Sequence, residues 1–333
     1  MDHPWLTPLE CRAVRPGTQL LYDRSVSDFL SFCRKNDLRI LGCDANEFDA
    51  LDLAVTKYLN QIFVEGQGVE MASRVVAALR HVIPKIGRLQ SGNLPRTMRA
   101  LKGFSNLAPS HQRLPLPRPA ALAIAGLLAC REQPQMALWV ALSFIAYLRP
   151  SECLAMTGRS IVVPIVGASQ TYQRWGLLIR DAYAGQPGKT GLLDESVILD
   201  LDVWIYPALK VLKSLKRDDQ GLWDFDANDL RLKFQRAAYD LGLHKISNHL
   251  YGLRHGGASD DLLSGRRSIE AIQKRGRWAS PASLKRYTKE TRLLHEMAKI
   301  DKSVFEYGVK VQENFSDVLS RGPRSRAGAP PCQ

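Results

Sequence analysis

Clustered cysteine is the first thing this sequence lacks. Its six cysteines (Cys11, Cys33, Cys43, Cys130, Cys153 and Cys332) are scattered over 333 residues without a C-x-x-C pair, and its seven histidines do not gather either. That spacing supports neither a structural zinc site nor a disulfide framework, and it fits reduced thiols in an intracellular compartment. A long apolar run is also missing. The most apolar stretch, Met136 to Leu148, has 13 residues, whereas a membrane span needs about 20, so the stretch reads as a core helix. The opening MDHPWLTPLE is acidic and contains proline, which excludes reading it as a secretory signal. No internal repeat is visible. The expectation is a soluble intracellular protein with no membrane partner.

What the chain has in excess is positive charge. Lys and Arg outnumber Asp and Glu by 46 to 33, a formal net charge of +13. Such an excess favours polyanions, either nucleic acid or an anionic membrane surface, and the distribution of the charge must decide between a real interface and a merely basic protein. With 45% apolar and 24% charged residues the composition is globular, and the length suggests two domains of about 100–200 residues each.

A boundary is legible at APSHQRLPLPRP, where four prolines in twelve residues exclude a continuous helix and favour an extended linker over residues 109–119. Residues 1–108 read as a helical unit. One helix begins near Thr18 and carries Leu21, Val26, Phe29, Leu30 and Cys33. A second, capped by Asp44 and Glu47, carries Phe48, Leu51, Val55 and Ile62; a third covers Glu70 to Ile86. A fourth turns Leu94, Met98 and Leu101 inward and places Arg96, Arg99 and Lys102 together on its other side, either a solvated face or one that contacts phosphates.

Residues 120–312 form the second unit. Apolar helices are expected at Ala120 to Cys130 and Gln135 to Leu148, then strands at Ser160 to Val166, Trp175 to Tyr183 and Ser196 to Leu199. The last two are joined by the Gly- and Pro-rich AGQPGKTGLLDE. Helices resume near Val203, with one at Asn228 to Leu241. Ser268 reads as an N-cap, and Ser280 with Pro281 opens the helix that carries Tyr287. Residues 313–333 read as a disordered basic tail. The fold class expected is mainly α with a small β-sheet (α+β).

Four features of the second unit belong together. Arg149 ends an apolar helix in AYLRPSE; a buried arginine needs an anionic partner, although it could also snorkel or pair with Glu152. Arg254 in YGLRHGGAS is followed by small residues that permit close approach to the backbone. Lys189 stands in the middle of the hairpin turn. Finally, from Arg266 to Arg292 there are nine Lys/Arg and only two acids, Glu270 and Glu290, with Trp278 and Tyr287 inside that run. Arg275, Arg277, Lys285 and Arg286 are its candidate DNA contacts.

Taken as a set, these segments resemble the tyrosine recombinase (phage integrase) family. YLRPSECLAM is similar to its first arginine box, YGLRHGGAS to its second, and RGRWASPASLKRYTKE to its closing box, with Trp278 nine residues before Tyr287. Lys189 falls where the family keeps a hairpin lysine. The likeness covers roughly residues 116–310, and the first unit is similar to the family's core-binding domain. One position departs: the family's second box usually reads H-x-x-R, and here Tyr251 stands three residues before Arg254.

The resemblance implies cleavage and rejoining of double-stranded DNA, as in site-specific recombination or integration by a mobile element. Tyr287 would be the nucleophile that forms a 3′-phosphotyrosine. Arg149 and Arg254 would clamp the phosphate oxygens, and Lys189 would protonate the departing 5′ oxygen. Trp278 would donate to the phosphate or buttress the nucleophile's helix, and Tyr251 would donate in place of histidine. It further implies no metal or cofactor, a clamp of two basic domains around a duplex, a tetramer on two DNA sites, and localisation on DNA in nucleus or nucleoid. Residues 293–309 would dock on a neighbour or pack in cis. Two other readings stay open: a catalytically silent DNA-binding descendant, suggested by Tyr251, and a type IB topoisomerase-like enzyme.

Overall fold

The structure, a computed structural model, describes residues 7–11, 13–38, 40, 45–83, 86, 94–108, 114–167, 169, 173–180, 195–278 and 290–331. It divides into two compact units, Met1–Gln112 and Arg113–Gln333. Among the described residues it is mainly α with one small antiparallel sheet, as the sequence leads one to expect.

In the first unit a short α1 (Pro8–Cys11) precedes four longer helices: α2 (Pro16–Lys35), α3 (Ala45–Val64), α4 (Val69–Val82) and α5 (Pro95–Leu107). They share a core that includes Phe29, Phe32, Val55, Tyr58, Leu59, Ile62, Val76 and Phe104. The apolar stripe of α2 differs from the expected one. Ser25, Phe29, Phe32 and Cys33 are buried, whereas Leu21 and Leu30 are exposed, because the helix turns its two phenylalanines onto Tyr58 with ring centroids 5.6 and 4.9 Å away. In α5 the inward positions are Thr97 and Phe104, with Leu94 just before the helix, and Met98 is exposed. Helix α4 stops at Val82, ahead of the expected Ile86, because Pro84 follows and disfavours helical backbone at Ile83. Asp44 and the Glu47 side chain lie outside the described residues.

The second unit is built on α6 (Arg118–Cys130) and α7 (Pro134–Ile145). Almost every residue of both helices is buried, as a helix that is apolar all round must be. A short α8 (Pro150–Leu154) follows, then strands β1 (Ile161–Val162), β2 (Trp175–Arg180) and β3 (Glu195–Leu199) in sheet order β1-β2-β3. Trp175 pairs with Leu199 and Leu177 with both Val197 and Ile161. In β3, Glu195, Val197 and Leu199 face inward. Only Ile161 and Val162 of the expected first strand pair with β2, since Pro164 interrupts the run that follows.

Among the described residues seven helices follow: α9 (Tyr206–Leu215), α10 (Ala227–Asp240), α11 (Tyr251–Leu263), α12 (Ile269–Gly276), α13 (Glu290–Met297), α14 (Lys302–Glu313) and α15 (Phe315–Arg321). The Ser268 side chain accepts from the Ala271 amide, so it caps α12. Leu293, Val304 and Tyr307 pack in cis into the chain's own core. The tail requires a correction. Residues 313–333 contain α15, and Phe315, Val318 and Ala327 are buried in the main core. Polar composition suggested disorder, but Phe315 meets Trp204 edge-on at 5.0 Å and Val318 lies on the same face, which is enough apolar surface to dock a short helix.

Candidate active site

The site grows out of two helix ends. Helix α7 finishes with Tyr147 in the left-handed conformation, φ +49°; the Tyr147 amide donates to the Phe144 carbonyl at 3.4 Å and the Leu148 amide to the Ser143 carbonyl at 3.1 Å. Helix α12 finishes the same way on Arg277, φ +54°, with the Arg277 amide on Lys274 and the Trp278 amide on Gln273, both 3.1 Å. These are Schellman ends, which glycine normally closes; a side chain there costs about 1–2 kcal/mol.

Arg254, from the first turn of α11, bridges the two ends. It is 0% exposed, and its Nη1 donates to the Tyr147 carbonyl while Nη2 donates to the Gly276 carbonyl. Carbonyls at helix C-termini carry the negative end of the macrodipole, which explains why a cation is tolerated there. The guanidinium carbon lies 4.9 Å from the centre of the Trp278 ring, which adds a cation–π contact. Nε has no hydrogen-bond partner among the described residues. Burial, then the neighbouring cations Arg277 and Arg149, push the Arg254 pKa down to about 10, so the group remains charged at neutral pH.

Arg149 follows the α7 end and opens α8. Its amide donates to Glu152 Oε2 at 2.7 Å and its Nη1 pairs with Oε1. Burial opposes the Arg149 charge, but Glu152 outweighs it and the pKa is raised. Glu152 also receives Arg277 Nη2 at 2.7 Å and lies 3.9 Å from Arg254 Nη1. Burial would raise its carboxyl; Arg277, then the Arg149 amide and guanidinium, hold it below the usual range. One carboxylate therefore organises three arginines. Tyr251 opens α11 half-buried, its ring 4.9 Å from that of His255 and in the neighbourhood of Arg149 and Arg254.

The glycines after Arg254 serve packing. A Cβ on Gly256 would lie 2.2 Å from the Leu116 carbonyl oxygen, and one on Gly257 2.0 Å from that of Phe144. What approaches the backbone closely here is the chain itself.

Two of the expected DNA contacts need correction. Arg275 is buried, with Nε and Nη2 on the Ile145 carbonyl at 3.0 and 2.8 Å and Nη1 on the Ile198 carbonyl at 2.6 Å. Arg277 is spent on Glu152 and on the Tyr147 and Arg275 carbonyls. Farther out, Arg118, Arg266 and Arg267 join Asp200, Asp202, Asp260 and Asp261 in a second ionic network. Much of the basic run around residue 270 is thus internal, because acids distant in sequence fold back onto it.

Arg96, Arg99 and Lys102 do share the exposed side of α5. That helix is fixed by Asp52, which is buried and accepts the amides of Arg96 and Thr97 at 2.8 and 2.7 Å. A signal passed over is that no acid occurs from Met71 to Arg131; Arg74 is exposed, and Arg80 reaches Met98 of α5. Lys189, Lys285, Arg286 and Tyr287, with the Ser280–Pro281 cap, lie outside the described residues.

No family model matches the sequence, and no curated protein matches it. Solved structures do. The XerH site-specific recombinase bound to palindromic difH substrate, in a post-cleavage complex, superposes with a TM-score of 0.51 at 15% identity, over 83% of this chain and 88% of that one. The chain has the tyrosine-recombinase fold. XerH bound to difH before cleavage (TM-score 0.41, 14% identity, 84% and 93% coverage) and XerA recombinase (0.37, 17%, 87% and 94%) also match. Within this fold, Arg149, Glu152, Tyr251, Arg254 and Trp278 come together in the second unit. No helix among the described residues is long and apolar enough to cross a membrane.

Proposed function

We propose that this chain cleaves and rejoins double-stranded DNA through a phosphotyrosine at Tyr287, as a site-specific recombinase or integrase. The observation that carries the reading is the convergence of Arg149 and Arg254, from separate elements, on the one carboxylate of Glu152. A cluster of that kind suits a phosphodiester whose non-bridging oxygens gain charge during displacement. The Tyr287 hydroxyl attacks phosphorus, the bond to the 5′ oxygen breaks, and Lys189 delivers a proton to that oxygen. Arg149 and Arg254 hold the non-bridging oxygens, each worth about 3–4 kcal/mol in the transition state. Tyr251 supplies a neutral donor, and Trp278 shelters Arg254. Trp278 covers the buried Arg254, so engagement of the phosphate requires Trp278 or its neighbours to shift. Arg96, Arg99 and Lys102 hold the duplex backbone from the first unit, with Lys285 and Arg286 adding to it from the second. The assembly is a tetramer on two DNA sites, and the protein resides on DNA, in the nucleus of a eukaryote or the nucleoid of a bacterium.

A second reading, a silent DNA-binding descendant, is favoured by one observation: both Nη groups of Arg254 are committed to carbonyls while Tyr251 stands in the histidine position. Nicked suicide duplexes from the native flanking DNA separate the two. A denaturation-resistant protein–DNA adduct that Tyr287→Phe lacks supports the enzyme; salt-sensitive binding without adduct supports the silent descendant.

A further inference from the structure

Both helix ends at the site are closed by residues other than glycine, although glycine adopts that conformation at no steric cost. The Tyr147 side chain has an evident task, since its hydroxyl donates to Asp261 inside the ionic network. The Arg277 guanidinium is almost fully enclosed, with side-chain exposure of 6%. It donates to Glu152 Oε2 at 2.7 Å and to the Tyr147 carbonyl at 3.3 Å, and its Nε lies 3.7 Å from Glu195 Oε2 at the head of β3.

We infer that Arg277 is a positioning residue: it fixes the Glu152 carboxylate between Arg149 and Arg254 and ties that carboxylate to β3 through Glu195. Its effect on DNA rests on the phosphotyrosine reading above; its effect on Glu152 does not. Glu152 Oε2 is shared by the Arg149 amide and by Arg277, whereas Oε1 belongs to the Arg149 guanidinium. Removing Arg277 takes the second cation from a carboxyl that burial already disfavours as an anion. Glu152 then binds a proton more readily, and a neutral Glu152 is a weaker anchor for Arg149. Among the described residues, the charged or titratable groups around Glu152 include Arg149 before α8, Cys153 on α8, Arg254 on α11, Arg277 after α12, and Glu195 on β3 beyond Arg277.

The test compares wild type, Arg277→Gly and Arg277→Lys as full chains. Glycine suits the left-handed turn, so loss of the turn is not the expected outcome, and lysine keeps the charge. Carbon-13 labelling of glutamate carboxyls reports the Glu152 titration by NMR, its resonance identified by absence in Glu152→Gln. The expected result is a Glu152 midpoint raised by about one pH unit or more in the glycine variant, with lysine in between. Adduct formation on the nicked duplex is followed in parallel, and the ratio of glycine variant to wild type is expected to fall about threefold from pH 8 toward pH 5. The lysine variant recovers most of that loss. An unchanged Glu152 midpoint, or a ratio that is flat with pH, overturns the inference. Should wild type form no adduct at all, the phosphotyrosine reading falls, and the Glu152 midpoint alone decides the role of Arg277.

Discussion

The Trp278 ring covers Arg254 at 4.9 Å and lies at 27° to the Tyr147 ring, with centroids 6.3 Å apart. A buried guanidinium with an unshared Nε depends on that cover. Trp278→Ala is therefore expected to lower unfolding stability by about 2–4 kcal/mol, and Trp278→Phe by less. Urea midpoints measure both, and a loss below about 1 kcal/mol for alanine would mean the ring does not hold Arg254.

Asp52 ties α3 to the start of α5 through two backbone amides, one of them in the buried Thr97. Asp52→Ala strips a buried partner from both, and the expected cost is about 2–3 kcal/mol. If the duplex is gripped through α5, the same variant also weakens DNA binding under conditions where it remains folded.

Asp202 predicts a dependence on pH. Burial raises its carboxyl, but Arg118 and then Arg266 outweigh burial and hold it below the ordinary value. A depressed folded pKa gives stability that is complete above the unfolded value of about 4 and disappears as pH falls through the folded one. Asp202→Asn should thus cost about 3 kcal/mol at neutral pH and progressively less below about pH 4. A cost independent of pH in urea titrations would show that the charge is not what matters.

Replacing Arg96, Arg99 and Lys102 together by alanine leaves stability nearly unchanged, because all three are exposed. Duplex affinity should fall, and the slope of log K against log salt should drop by about 2–3. An unaltered slope removes α5 from the DNA interface.

Phe315→Ala is expected to destabilise the chain by about 3–4 kcal/mol through the cavity it leaves beside Trp204. A disordered tail would give no change in thermal midpoint.

Helices α6 and α7 were legible because they are continuous apolar runs, and β2 and β3 because glycine and proline mark the segment between them. Arg149 and Arg254 could be named from their local segments for the same reason: both follow directly on apolar residues. Other features had no local signal. The fates of Arg275 and Arg277 depend on Ile145, Ile198 and Glu152, all more than seventy residues earlier, so a reading of charge along the chain left them at the surface. Tyr147 gave no warning either, since nothing in its residue type announces a left-handed backbone. The role of Asp52 depends on the amides of Arg96 and Thr97, more than forty residues later, so its own segment carries no sign of it.

The arginines buried around Asp202, Asp261 and Glu152 give the chain two kinds of positive charge with different responses to ions. Counterions at physiological strength screen exposed cations beyond about 8 Å, but they scarcely reach groups enclosed by protein. The +13 of the sequence thus overstates what a polyanion can feel. On the proposed reading, the salt-sensitive part of the grip on a duplex comes from the outer cations, so concentrated salt weakens it while the interior pairs, and the fold they brace, endure.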